Sequence, residues 1–436
     1  MSHIVVFAVA VIPWLRQQEA LAHWPQWRGP LATGEAPHAD PPVHWSEEQN
    51  VRWKVALPGR GHSSPVVWDE RIFVTIAVPF DEPLEPRMSG VDGAHDNLPV
   101  TSRHEFRVLA IDRSNGEIAW DTSVKRALPH EGGHVTASLA SASPITDGER
   151  VFAFFGSYGL YALDTKGERI WQQDFGRMQT KHGHGEGASP ALYGDTLIVN
   201  WDHEGPSFLV ALDARTGEER WRVGRDEVTS WSTPLIVEHG GHAQVVVSGS
   251  KRVRAYALDS GRVLWECGGL SRNIVASPLH ADGVVYVGSS YEKQAMLAIR
   301  LAGARGDLTT SKNLAWMRRR STPYVPSPLL YRGGLYFLHH YQNTLSRVVA
   351  ETGTEPTGPF RLRGIGNVYA SPVAAAGRIY ITDLAGRTLV LGDGDEPEIL
   401  AVNRLDDGFS ASAALAGSEI FLRGERFLYC LAESDD

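Results

Sequence analysis

His182, His184 and Glu186 stand at alternate positions in the glycine-spaced segment from Lys181 to Gly187. In an extended chain alternate side chains share one face, so two imidazoles and a carboxylate are expected to point together. These are donor types for zinc, copper and other divalent ions. With His203 they make a candidate metal set of His182, His184, Glu186 and His203. Against it stand the pliancy of Gly183, Gly185 and Gly187 and the lack of a fixed ligand motif such as His-Glu-x-x-His. Solvated or hydrogen-bonding histidines are the simpler reading.

Whether such residues meet depends on the elements that carry them. Eight short segments recur along the chain: Ser64-Pro65, Ser143-Pro144, Ser189-Pro190, Thr233-Pro234, Ser277-Pro278, Ser327-Pro328, Ser371-Pro372 and a proline-less Ser412-Ala413. The steps between them are 79, 46, 44, 44, 50, 44 and 41 residues. A period of about 40–50 residues marks propeller blades, each a four-stranded antiparallel sheet. The predicted fold is all-β, an eight-bladed propeller over residues 50–436. The last repeat has three strands and lacks a fourth, whereas Asn50 to Val55 reads as a fourth strand with no blade before it. Residues 50–55 are therefore expected to complete blade eight and remove the open edges.

Within a repeat, the third and fourth strands meet at a turn best seen in Ala211-Leu212-Asp213-Ala214-Arg215-Thr216-Gly217-Glu218-Glu219-Arg220-Trp221. Asp bonds forward to turn amides, Gly takes a positive φ, and Trp fills the wedge between blades. This segment resembles the tryptophan-docking motif of the eight-bladed quinoprotein propellers, the pyrroloquinoline-quinone (PQQ) repeat family. The resemblance covers residues 45–436. The opening Trp24-Pro25-Gln26-Trp27-Arg28-Gly29, followed by Gly59 to Pro65, is similar to uncharacterised exported PQQ-like propellers common in planctomycete-type bacteria.

In a propeller the residues before each first strand ring the channel mouth. Here they supply His62, His134, His184, Glu186, Trp231, Arg272, Asn273, Tyr324, Asn367 and Asp407 as candidate ligand-binding residues. Trp231 either stacks on a planar ligand or plugs the channel as core, and the ease of burying Trp favours the plug. Arg60, Lys181 and Arg272 suit an acidic ligand. An insertion of about residues 78–104 in blade one lies on the same face, where a long loop reads as a lid or binding loop.

The resemblance implies two functions. Catalytic quinoproteins use PQQ with an adjacent cysteine pair and Glu, Asn and Asp ligands for calcium. Here Cys267 and Cys430 fall in blades four and eight, and Asn273, Asn367 and Asp407 are the nearest mimic of a calcium set. The other branch includes the outer-membrane assembly lipoprotein, which binds protein partners. The leading expectation is a non-catalytic binding or scaffold protein of the cell envelope, with an envelope protein or a small ligand at the mouth. The alternatives are a PQQ-dependent dehydrogenase and a metal-dependent enzyme using the histidines.

Composition bounds these readings. The chain has 42 basic and 51 acidic residues among 436, a net charge of −9 that argues against nucleic acid. Ile4 to Val11 is apolar but too short to span a bilayer. With Ala20-Leu21-Ala22 it suggests a signal peptide over residues 1–22, an extension over 23–49, and a periplasmic or secreted monomer with no transmembrane segment.

Overall fold

A computed structural model describes residues 19–434. Most of the proposed signal peptide, residues 1–18, lies outside them. The chain folds into eight sheets arranged as blades around one channel, each with four antiparallel strands, the fourth blade adding a short parallel strand, Gly306–Asp307. The first strand of each blade is short and innermost, as in Val66–Trp68 and Ala191–Tyr193. Middle strands such as Thr196–Trp201 are buried on both faces, because each blade is sandwiched between two others. Outer strands such as Glu219–Arg225 alternate between exposed and covered positions, the period-two pattern of a sheet with one wet face. The core consists of layers between blades: Val66, Phe73 and Val108 of blade one pack with Val151 and Tyr161 of blade two.

The ring closes as the last repeat requires. Val51–Ala56 pairs antiparallel with Phe427–Leu431, placing Trp53 opposite Cys430 and Val55 opposite Leu428. Trp53 then docks on blade one: its Nε1 donates to Arg113 O at 2.8 Å, and its ring covers Gly116. Trp120, Trp171, Trp221 and Trp316 repeat this on Thr165, Ala214, Leu258 and Ala350 of the following blades. Each ring lies over the turn glycine of the next blade. A Cβ at Gly217, whose φ is +75°, would stand 2.7 Å from the Trp171 ring. Backbone conformation and close approach thus both demand glycine there. Asp213 Oδ1 accepts from the amides of Arg215 and Thr216, which holds the turn.

The Ser/Thr-Pro positions are latches between blades. The Ser64 amide donates to Ser143 Oγ at 2.9 Å, Ser143 to Ser189 Oγ at 3.0 Å, and Ser189 to Thr233 Oγ1 at 3.0 Å. Thr233, Ser277, Ser327 and Ser371 continue the series to Ser412. Among the described residues no bond links Ser412 to Ser64. That seam holds Arg423 instead, whose buried guanidinium donates to Ser63 O and Oγ.

Two segments lie outside the repeat. The blade-one hairpin strands run to Arg71–Phe80 and Arg103–Asp112, so the irregular insertion is shorter than 78–104 and covers 81–102. The N-terminal extension crosses the channel. Trp24 exchanges backbone bonds with Val67, Pro25 O accepts from Thr146 N, Thr33 O from Leu330 N, and Gly34 O from Ala374 N. It therefore runs from blades one and two to blades six and seven, carrying Trp27 across the channel end. Arg28 anchors it, donating to Pro328 O and Pro372 O, each at 2.7 Å.

Candidate functional site

The channel is a well with one end occupied by the extension. Its cavity of about 840 Å³ is lined by Trp27, by the mouth residues and by the latch residues Ser64, Ser143, Ser189, Thr233, Ser327, Ser371 and Ser412. These latch side chains form a hydroxyl collar. From Ser143 onward each oxygen accepts the N–H of the preceding blade, and no acceptor among the described residues takes the hydroxyl protons.

Of the residues read from the sequence, His62, His134, His184, Glu186, Trp231, Arg272, Asn273 and Tyr324 line this one cavity. Asn367 and Asp407 do not. Asn367 is exposed, and its backbone carbonyl accepts from Leu384 N. Asp407 is tied into blade eight, accepting from the amides of Gly408, Arg426 and Phe427. Trp231 is wall rather than plug: it is half-buried and its Nε1 donates to Gly185 O at 2.7 Å. The indole at the far end of the channel is Trp27, which comes from a segment with no place in the repeat.

The two sides of the mouth differ. Blades one to three present imidazoles. His95 from the insertion lies 4.7 Å from the His184 ring and 5.3 Å from that of His182, and His134 lies 4.9 Å from His184. Desolvation, then the neighbouring imidazoles, lowers the His184 pKa to about 4. Burial, then Arg60 and Arg423, lowers that of His62 to about 3. Blades five to seven present phenols. Tyr291 stacks on Tyr324 at 5.6 Å, Tyr341 on Tyr369 at 5.4 Å, and His340 lies between the pairs, 5.2 Å from Tyr324. Lys181 Nζ donates to Asn273 Oδ1 at 2.8 Å, and Asn273 Nδ2 to Tyr324 OH at 3.1 Å, bridging the sides. The sequence reading missed Tyr291, His340 and Tyr341. They sit in second-to-third strand hairpins, not before a Ser-Pro pair.

The proposed metal set does not assemble. Lys181–Gly183 is a tight 3-10 turn with His182 at φ 56°, and Gly183 and Gly185 also have positive φ, so the alternation of an extended chain is lost. Glu186 turns into blade two and accepts from Ser157 N at 2.6 Å and Ser157 Oγ at 2.5 Å. Burial there pushes its carboxyl up to about 7. His203 is buried behind the wall, with Nδ1 accepting from Gln179 N at 3.1 Å. His134 Nδ1 is already engaged with the backbone N and the hydroxyl of Thr136. Among the described residues no three His, Cys, Asp or Glu side chains are arranged to hold a metal ion.

The calcium and quinone set implied by the resemblance does not fit either. Asn273, Asn367 and Asp407 lie apart. Of the carboxylates lining the well, Glu186 is held by Ser157, Glu204 by Thr229 Oγ1 at 2.7 Å, and Glu292 lies 3.5 Å from Lys181. Both cysteines are buried and free, in blades four and eight, where burial raises their thiol pKa values.

Two buried guanidiniums stand just behind the collar. Arg28 is 2% exposed and Arg423 1%. Arg28 binds the carbonyls that follow Ser327 and Ser371, and Arg423 binds the residue that precedes Ser64. Neither forms an ion pair among the described residues, and desolvation lowers each to about 9. Nε of both, and Nη2 of Arg423, find no protein acceptor.

Comparison with known proteins places this architecture. Among solved structures, a quinohemoprotein alcohol dehydrogenase from Comamonas testosteroni superposes with a TM-score of 0.65 at 10% identity, over 97% of this chain and 83% of that one. BamB from Moraxella catarrhalis superposes with a TM-score of 0.54 at 14% identity, over 81% of this chain and 98% of its own. At such identities the likeness is one of fold. No curated protein matches the chain by sequence. Among the described residues no helix is long and apolar enough to cross a membrane. The family model described as outer membrane protein assembly factor BamB matches residues 81–222 and 205–435, nearly the whole propeller, and the chain belongs to that PQQ-repeat family.

Proposed function

We propose that this chain is a non-catalytic binding protein of the cell envelope, periplasmic or secreted, that takes a ligand or a partner segment at the mouth of its well. The observation that carries this reading is the contrast between that mouth and the rest of the ring. Eight approach segments and the blade-one insertion gather polar and aromatic side chains around one cavity. Wells lined in this mixed way are the usual form of a binding site. Family membership supports the envelope setting, since the family takes its description from an outer membrane assembly factor.

Redox catalysis is the weaker reading, because the side chains that would hold calcium are apart or already committed to protein partners.

The test is co-purification from envelope extracts, comparing the intact chain with Trp231→Ala and with the insertion 83–101 replaced by a short Gly-Ser link. A component retained by the intact chain and lost from both variants, each still folded by circular dichroism, supports the reading. Identical retention by all three overturns it, as does dye reduction after addition of PQQ and calcium.

A further inference from the structure

The collar and the two guanidiniums behind it have a common electrostatic sense. From Ser143 onward each collar hydroxyl spends its oxygen on the neighbouring blade and keeps its proton for something else. A protein interior has a low dielectric, so the field of an uncompensated buried cation reaches further than it would in water. A buried charge without a counter-charge is costly unless something completes it. No carboxylate of the chain does this for Arg28 or Arg423 among the described residues, and both retain N–H groups without a protein acceptor. The residues they bind directly are the neighbours of the collar positions Ser64, Ser327 and Ser371. Of the well's carboxylates, Asp96, Glu204 and Glu292 belong to second-to-third strand loops at the mouth, and Glu186 is turned toward Ser157 of blade two. Arg272, also at the mouth, is exposed and forms no ion pair among the described residues.

We propose that the well selects small organic anions, with the acid group lodged against the hydroxyl collar in the field of Arg28 and Arg423 and the body against the Tyr324 and Trp231 side of the wall. This rests on the reading of the well as a binding site and adds the charge and chemical class of its occupant. Protonated hydroxyls with no internal acceptor suit carboxylate or phosphate oxygens. The opposite choice, a cationic ligand, would add a third positive charge beside two that already lack partners.

The test uses the full chain and four probes at constant ionic strength: citrate, inorganic phosphate, sorbitol and spermidine. Readouts are thermal shift and quenching of tryptophan fluorescence. The expected result is saturable binding of citrate, or of citrate and phosphate, with no response to sorbitol or spermidine. Arg423→Gln and Arg28→Gln each remove one buried charge and should weaken citrate by about tenfold. Arg222→Gln, on an outer strand beside Glu219 and away from the well, should leave it unchanged. Should both buried variants fail to fold, Ser143→Ala keeps both guanidiniums, removes one collar hydroxyl and should still weaken citrate severalfold. Equal or stronger binding of sorbitol or spermidine overturns the anion assignment while leaving the well a binding site. A response to none of the four probes overturns the assignment too, and the co-purification experiment then decides separately whether the mouth binds anything.

Discussion

The two ends of this ring follow opposite rules. At the third-to-fourth strand turns, five blades repeat one arrangement in which an indole donates to a carbonyl and covers a glycine of the next blade. At the mouth the repeat is broken: imidazoles stand on one side and phenols on the other. Rotational symmetry accounts for the first end, since a contact between neighbours that works once works at each step. The second end has no neighbour to satisfy, so its residues differ as ligand-facing positions do.

That contrast can be broken experimentally. The largest effect is expected at the repeating end, where Trp53→Ala removes the indole that joins blade eight to blade one. It should cost about 3–5 kcal/mol, the range for truncating a buried Trp, read as a lowered denaturant midpoint. A smaller loss is expected at the collar. Ser327→Ala leaves the Ser277 amide without its acceptor in a buried seam, and should cost about 1–3 kcal/mol.

Smaller still is a pH effect that the mouth alone should show. His184 is held neutral in the fold with its pKa lowered, so its unfolded form gains a proton first as pH falls. Its contribution is present above about 6.5 and is lost as pH falls toward about 4, and His184→Gln should flatten that limb of the stability curve. Glu186 works the other way, because its carboxyl is raised to about 7. Its contribution is present below the ordinary carboxylate value and is lost as pH rises through about 7, so Glu186→Gln should stabilise the protein relative to wild type above that pH. The least effect on folding belongs to Tyr291→Ala. This ring is 60% exposed, and its loss should change stability by no more than about 0.5 kcal/mol, while altering what binds at the mouth.

The same contrast explains what could be read before the structure. The Ser/Thr-Pro period was legible because each hydroxyl makes the same inter-blade bond, so residue type recurs with the fold. Strand closure by residues 50–55 was legible because a blade short of one strand advertises what it lacks. The floor of the well was not. The extension joins the inner strands mostly through backbone groups, and a backbone bond leaves no residue type to recognise. Glu186 does not join His182 and His184 because positive φ values at His182, Gly183 and Gly185 break the alternation of an extended chain. Trp231 was misjudged on its size. It lines the wall, and the far end of the channel is lined by Trp27, a residue from outside the repeat.

The pairing of Val51–Ala56 with Phe427–Leu431 gives the ring a direction of mechanical weakness. Val51 lies opposite Leu431, so a pull on the two outgoing chain ends loads one end of the antiparallel pair and peels it bond by bond instead of shearing all its bonds together. The extension changes that outcome. Tension arriving from the N-terminal side meets the Trp24–Val67 bonds and the Arg28 anchor before it reaches the pair. The stretch that floors the cavity therefore also acts as strain relief for the clasp.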